Sequence, residues 1–123
     1  MEDSMNFGTV LTYLLLMLFM FISGTVVGQN LCGSDICVVQ FNASWNETNS
    51  VDYLGKLTDC EVMSVSIDEG TYQADYNIVV VPTIVVFNEG EEEVRFQANI
   101  MMQLEASQED VQEAVDEIIM DSF

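Results

Sequence analysis

The stretch Ile-Cys-Val-Val-Gln-Phe-Asn-Ala-Ser-Trp-Asn-Glu-Thr-Asn, residues 36 to 49, decides the fold. It opens as an apolar run from Ile36 to Val39 and carries on through Phe41. β-Branched residues dominate it, and it holds neither Gly nor Pro. A strand buried on both faces reads this way, because helices cover the two sides of a parallel sheet. The run then turns polar around Trp45. A strand that delivers a polar turn and then opens a helix places that turn at the carboxyl edge of the sheet, where α/β folds bind their ligands.

Upstream of this strand the chain divides into an apolar segment, residues 1–28, and a short polar linker, residues 29–35. Residues 36–123 form one domain, with room for a modest core. Residues 7 to 27, from Phe7 to Val27, carry no charge and are rich in Leu, Met and Phe. About 20 apolar residues span a bilayer core, so this segment is long enough to be a transmembrane or signal helix. Nothing in so short a chain could wrap it as a buried core helix. Two readings stay open. One is a signal peptide cut after Gly28, since Val26 and Gly28 place small residues near a cleavage site. The other is a signal anchor that remains, and the acidic start Met-Glu-Asp-Ser-Met favours it. No Lys or Arg flanks the segment, so the positive-inside rule gives no orientation.

The charge balance is extreme. There are 21 acids against Lys56 and Arg95, a formal net charge of −19. Glu2 and Asp3 precede the apolar segment, so 19 of the acids and both bases follow it. Such a surface repels nucleic acid and anionic head groups, and it suits a basic protein partner. Solubility through self-repulsion is the plainer explanation. Histidine is absent. That excludes His-based acid/base chemistry, Ser–His and Cys–His nucleophiles, and the commonest zinc ligand.

Downstream of Trp45, Thr48 or Asn49 is placed to cap a helix running to about Leu57, with Val51, Leu54 and Leu57 on one face. The alternation of residues 61 to 68 predicts a second strand, with Val62, Ser64 and Ser66 on one side and Met63, Val65 and Ile67 on the other. Residues 69 to 76 read as a short helix or turn. Ile-Val-Val-Val-Pro-Thr-Ile-Val-Val-Phe, residues 78 to 87, is a third strand that must begin at Pro82, since proline cannot donate to a ladder. Asn88-Glu89-Gly90 reads as a hairpin turn into a fourth strand over residues 93 to 98. Ile100, Met101, Met102 and Leu104 have no clear period, and core is the expected place for them, with an exposed contact surface as the alternative. Ser107 with Asp110 resembles a capping box, and Val111, Ala114, Val115, Ile118 and Ile119 form a helical stripe. The order is that of a compact α/β layer fold.

With these elements in place, the pattern resembles the thioredoxin family. Val-Val-Gln-Phe-Asn-Ala-Ser-Trp is similar to its central strand and the tryptophan that follows. Val-Val-Val-Pro-Thr, then an apolar strand and an Asn-x-Gly turn, is similar to its cis-proline loop and hairpin. The resemblance covers roughly residues 36 to 119. It implies a thioredoxin-like mixed sheet of about four strands flanked by helices. It also implies a cis Pro82, with the Val81 backbone beside the Trp45 turn.

The departures change the expected chemistry. The family has Cys-x-x-Cys directly after this tryptophan, and Asn46 and Asn49 stand there instead. Disulfide exchange needs an attacking thiolate and a resolving thiol, and an amide is neither. Gln40 replaces the family's buried acid. The family's first strand and helix have no counterpart. The resemblance therefore implies a binding groove made by Trp45, Asn46, Asn49, Val81, Pro82 and Thr83, with no catalytic residue and no cofactor.

Cys32, Cys37 and Cys60 remain. Cys32 and Cys37 are spaced too widely for the redox motif, and Cys37 and Cys60 both start strands at the edge opposite Trp45. A disulfide from Cys60 to Cys37 or Cys32 is one expectation, and three unpaired thiols the other. Three cysteines without histidine or paired spacing do not make a zinc site. Two sequons put glycosylation at Asn46 or, less suitably at a strand end, at Asn42. The residues 91–93, all glutamate, read as a solvated hairpin tip rather than a cation site.

These readings favour a redox-inactive, protein-binding domain over an enzyme. It would be anchored in a membrane by residues 7–27, or secreted, with the domain in the lumen, periplasm or extracellular space. The competing reading is a divergent thiol–disulfide oxidoreductase that uses Cys32 with Cys37, or Cys60. A structural subunit of a membrane or virion assembly overlaps with the first.

Overall fold

The computed structural model describes residues 31–32 and 35–123. The apolar segment at residues 7–27 lies outside the described residues. Among those described, no helix is long and apolar enough to cross a membrane.

Four strands form a single sheet: β1 (Ile36–Asn42), β2 (Glu61–Ser66), β3 (Thr83–Asn88) and β4 (Glu91–Gln97), in the order β2-β1-β3-β4. β1 runs parallel to β2 and antiparallel to β3, and β3 is antiparallel to β4. The two central strands are those with continuous apolar runs, and β1 from Cys37 onward and β3 up to Phe87 are buried on both faces. β2 and β4 alternate or are polar, and they lie at the edges. Burial on two faces requires apolar residues at every position, while an edge strand tolerates alternation.

Each face of the sheet carries its own core. On one, Cys37, Val39, Phe41, Val85 and Phe87 pack with Ile78, Val81 and the rings of Tyr72 and Tyr76. The Phe41 and Tyr76 ring centroids are 5.1 Å apart and tilted, and Phe87 meets Tyr76 edge-on at 5.6 Å. Both contacts fall within the favourable range for aromatic pairs. Tyr72 and Tyr76 flank the short helix α1 (Tyr72–Asp75). On the other face, Val38, Ile84 and Val86 pack beneath helix α2 (Gln108–Asp121) through Val111, Ala114 and Val115. The capping box at its start is formed: Ser107 accepts from Asp110 N at 3.2 Å, and Asp110 accepts from Ser107 N at 2.8 Å.

The β3–β4 turn is a two-residue hairpin in which Glu89 and Gly90 have φ of 53° and 86°. Two successive positive φ values match the right-handed twist of the strands, and Gly90 supplies one of them at no steric cost.

Two expectations are corrected here. The helix from Thr48 or Asn49 to Leu57 does not form. Two short 3₁₀ turns replace it, Ser44–Asn49 and Leu54–Lys56, with an extended residue, Ser50, after the first. Leu54 and Leu57 still reach the core beneath α2, so the apolar spacing marks burial there without a helical backbone. Residues 100 to 102 are not core. Ile100 is 97% exposed, and Met101 and Met102 are also in solvent, while Leu104 packs against the α2 face.

Candidate functional site

β1 ends at Asn42, and the chain turns through Trp45 at the carboxyl edge of the sheet. Asn42 organises this turn from a buried position. Its Nδ2 donates to the carbonyl oxygen of Asn46 at 3.0 Å and to Ser50 Oγ at 2.7 Å, and its Oδ1 accepts from Ala43 N at 2.9 Å. Asn46 is 5% exposed. Its Nδ2 donates to Asn42 Oδ1 at 3.1 Å and to the Val81 carbonyl oxygen at 3.4 Å, while its Oδ1 accepts from Asn49 Nδ2 at 2.8 Å. Three amides are thus linked through Asn46 at the turn. Each buried polar group has a partner, as a buried amide requires.

The Val81–Pro82 peptide bond is cis, as the resemblance implied. Pro82 itself is fully buried, and so is Thr83, whose Oγ1 donates to the Val80 carbonyl oxygen at 2.6 Å. Thr83 therefore does not line a groove, which corrects that expectation. Its hydroxyl is spent on fixing the loop.

A cleft of about 300 Å³ lies between Trp45, the strip from Val79 to Val81, and the loop bearing Ile100 and Met102. Trp45 is 66% exposed and Val79 is 72% exposed. Asn99 at the base of that loop gives it its shape. Its Oδ1 accepts from Met101 N at 2.9 Å and from Gln103 N at 3.2 Å, and its carbonyl oxygen accepts from Met102 N at 3.0 Å. Met102 takes a φ of 60°, the left-handed region that costs a non-glycine residue about 1 kcal/mol. The loop is thus held so that Ile100 and Met102 face the cleft. Of the residues expected to form a groove, Trp45 and Val81 line it, whereas Asn46, Pro82 and Thr83 support it from beneath. Asn49 is half-buried beside Asn46. Val79 carries no signal of a groove residue in the sequence, and Ile100 reads there as core, with an exposed contact surface as the alternative. Their exposure depends on the loop geometry, and an apolar residue in sequence reads first as core.

The cysteines lie at the far end of the sheet. Cys37 is the second residue of β1, and the strand from there to Asn42 separates it from the Trp45 turn by about 16 Å at roughly 3.3 Å per residue. The disulfide joins Cys32 to Cys37. That corrects the expected pairing through Cys60, which is a free, half-buried thiol. Cys37 and Glu61 are register partners, so Cys60 sits one residue before that level and packs on the opposite face of the sheet. Burial, with Asp59 and Asp116 nearby, pushes the Cys60 thiol up, which disfavours the reactive thiolate. Cys32, Cys37 and Glu61 lie close enough to hold a metal ion. Sulfurs joined to each other, however, offer no thiolate to bind one.

Other side chains at the turn are equally unreactive. Ser44 donates from its hydroxyl and its backbone N–H to Asp68 Oδ2. These bonds, led by the hydroxyl, hold Asp68 below its ordinary 3.8. A carboxylate so stabilised is a poor base, so the pair does not make a nucleophile. The glycosylation expectation also fails on geometry. Asn42 and Asn46 are both buried, and the Nδ2 of each, the atom a glycan needs, is taken up in hydrogen bonds.

No family model and no curated protein matches the chain. Solved structures do. A mutant thioredoxin from Halobacterium salinarum NRC-1 is 23% identical, covering 68% of this chain and 74% of its own, with a TM-score of 0.53. A thioredoxin from Fasciola hepatica is 25% identical, covering 68% and 81%, with a TM-score of 0.50. Thioredoxin 1 from the thermophilic eubacterium Thermosipho africanus is 17% identical, covering 70% and 97%, with a TM-score of 0.52. The sheet order, the cis proline beside the Trp45 turn and these likenesses agree: the chain has a thioredoxin-like fold.

Proposed function

We propose that this protein is a binding module that holds an extended, apolar segment of another protein in the Trp45 cleft and does not exchange disulfides with it. The observation that carries the reading is the Asn42–Asn46–Asn49 network, which fills with amides the place a thiol pair would occupy beside the cleft. Two further features support it. Trp45, Val79 and Ile100 present apolar surface around one groove, and the Asn99 hydrogen bonds hold the Ile100 loop in advance, so little ordering cost remains for binding. The net charge of −19 favours a partner with basic residues flanking its apolar core. In this reading residues 7–27 tether the domain to a membrane, with the domain outside the cytoplasm.

Trp45 is the single tryptophan of the chain, so its fluorescence reports on the cleft directly. The full chain in detergent micelles is titrated with the peptide Lys-Lys-Leu-Thr-Val-Leu-Lys-Lys. A blue shift that saturates, and that weakens on Ile100→Ser, is expected. No shift with this peptide or its sequence-scrambled relatives, together with insulin reduction that Cys32→Ser abolishes, would overturn the reading.

One observation favours a second reading, a thiol–disulfide oxidoreductase: the Cys32–Cys37 bond itself. Against it, Cys37 is 1% exposed and an attacking thiolate must reach a sulfur along the bond axis. The insulin assay separates the two readings.

A further inference from the structure

β2 lies at one edge of the sheet. It has β1 on one side and, among the described residues, no strand on the other. Ile67 N donates to the Asn42 carbonyl oxygen, back toward β1. Backbone groups alternate along a strand, so Met63 and Val65 also point to β1, while Val62, Ser64 and Ser66 point outward. β2 itself carries few of the usual guards of an edge. β2 has no Pro, no Lys and no bulge, and only Glu61 is charged. Val62 is 40% exposed and Ser64 is also in solvent, so neither side chain blocks approach.

The ends of this edge are acidic: Asp59 and Glu61 flank its start, and Asp68 and Glu69 follow its end, all exposed. This pattern decides between occupants. Two copies paired about a two-fold axis would run antiparallel, setting the Asp68–Glu69 end of one over the Asp59–Glu61 end of the other. Like charges would then face each other at both ends. A strand carrying Lys or Arg at both ends meets opposite charge instead.

We infer that the β2 edge is a second binding surface, which takes up an extended segment of a basic-ended protein partner as a fifth strand. Main-chain hydrogen bonds to Val62 and Ser64 supply the register, small or β-branched side chains fit over Ser64 and Val62, and the terminal charges set the preference. This surface uses other residues than the Trp45 cleft, whose lining reaches this strand only at Ile67, one residue past its end.

The test uses the full chain in detergent micelles and the peptide Lys-Lys-Thr-Val-Thr-Val-Thr-Val-Lys-Lys. Amide hydrogen exchange at Val62 and Ser64 is expected to slow by about tenfold or more on binding. Val62→Lys puts a like charge against the peptide at an exposed site, and Ser64→Pro removes an outward donor that the β1 ladder does not use. Each is expected to weaken binding by about tenfold, with circular dichroism unchanged. If Ser64→Pro perturbs the fold, Val62→Lys alone carries the comparison. A peptide with Glu at both ends is expected to bind about tenfold more weakly, and added salt to narrow the gap. Four results would overturn the inference: amides of Val62 and Ser64 already protected without peptide, which means the chain covers its own edge; self-association that Val62→Lys abolishes; equal binding of the acidic-ended peptide; or protection confined to the Trp45 cleft.

Discussion

Asn46 donates from Nδ2 to the carbonyl oxygen of Val81 at 3.4 Å, so an amide joins the Trp45 turn to the cis-proline loop. The two halves of the cleft, 35 residues apart in the chain, are tied at this point. The bond is buried and belongs to a network in which Asn42 and Asn49 are also engaged.

Asn46→Ala is expected to lower stability by about 1–3 kcal/mol, because it removes hydrogen bonds from a buried site and leaves a space behind. Asn49→Ala, at a half-buried position with a bond to Asn46, should cost less than about 1 kcal/mol. Urea midpoints at unchanged slope check this. Equal costs at the two positions would mean that burial of Asn46 does not matter.

Gln40 stands where the family resemblance places an acid, and it has taken a structural task. Its Oε1 accepts from Val51 N at 2.8 Å, and its Nε2 donates to Ser64 Oγ at 3.3 Å. The first bond pins the connector that replaced the expected helix. Gln40→Leu leaves the part-buried Val51 N–H without this partner, so a loss of about 1 kcal/mol is expected. The loss is read from thermal melts with far-ultraviolet circular dichroism, and a neutral or stabilised variant would contradict the assignment.

The cysteine pairing predicts a labelling pattern. Unfolded without reductant, the protein should take one equivalent of a maleimide, at Cys60, and after reduction three. Closing a loop of this length, with a separation of five residues, stabilises by about 2 kcal/mol in the chain-entropy account, so Cys32→Ser should lower the urea midpoint accordingly. Three equivalents without reductant would remove the disulfide from the account.

Tyr53 links the connector to the start of α2, donating from its hydroxyl to the Ala106 carbonyl oxygen at 2.7 Å. Burial first, then Asp110, pushes its hydroxyl from the ordinary 10.0 up to about 12. A group whose pKa is raised on folding contributes stability that is complete below the unfolded value and lost as pH rises through the folded one. The window is therefore from about pH 10 to pH 12. Tyr53→Phe is expected to cost about 1 kcal/mol at neutral pH and to flatten the alkaline limb of the stability curve. Equal alkaline slopes in the two proteins would refute the role given to the hydroxyl.

Much of the sheet was legible in the chain. Ile36, Val38 and Val39 with Ile84, Val85 and Val86 form unbroken apolar runs, and only a strand buried on both faces needs them. The hairpin and the α2 cap were legible for a similar reason, since Gly90, Ser107 and Asp110 act on backbone groups within three residues. The connector after Trp45 was not legible. Val51, Leu54 and Leu57 satisfy a helical face, yet the Asn42 side chain takes the Asn46 carbonyl oxygen and the Gln40 side chain takes the Val51 N–H, which holds the connector in separate turns.

The sequence by itself determined which strands are central, the cis-proline loop by resemblance, and that Asn46 and Asn49 rather than cysteines follow Trp45. Those properties follow from residue type and local spacing. Only the tertiary structure decided that Cys37 pairs with Cys32 rather than Cys60, that Asn46 is buried and Ile100 exposed, and that β2 lies at an edge with no further strand beside it among the described residues. Each of these depends on which distant segments meet through space, and an apolar or polar residue carries no mark of that in its own neighbours along the chain.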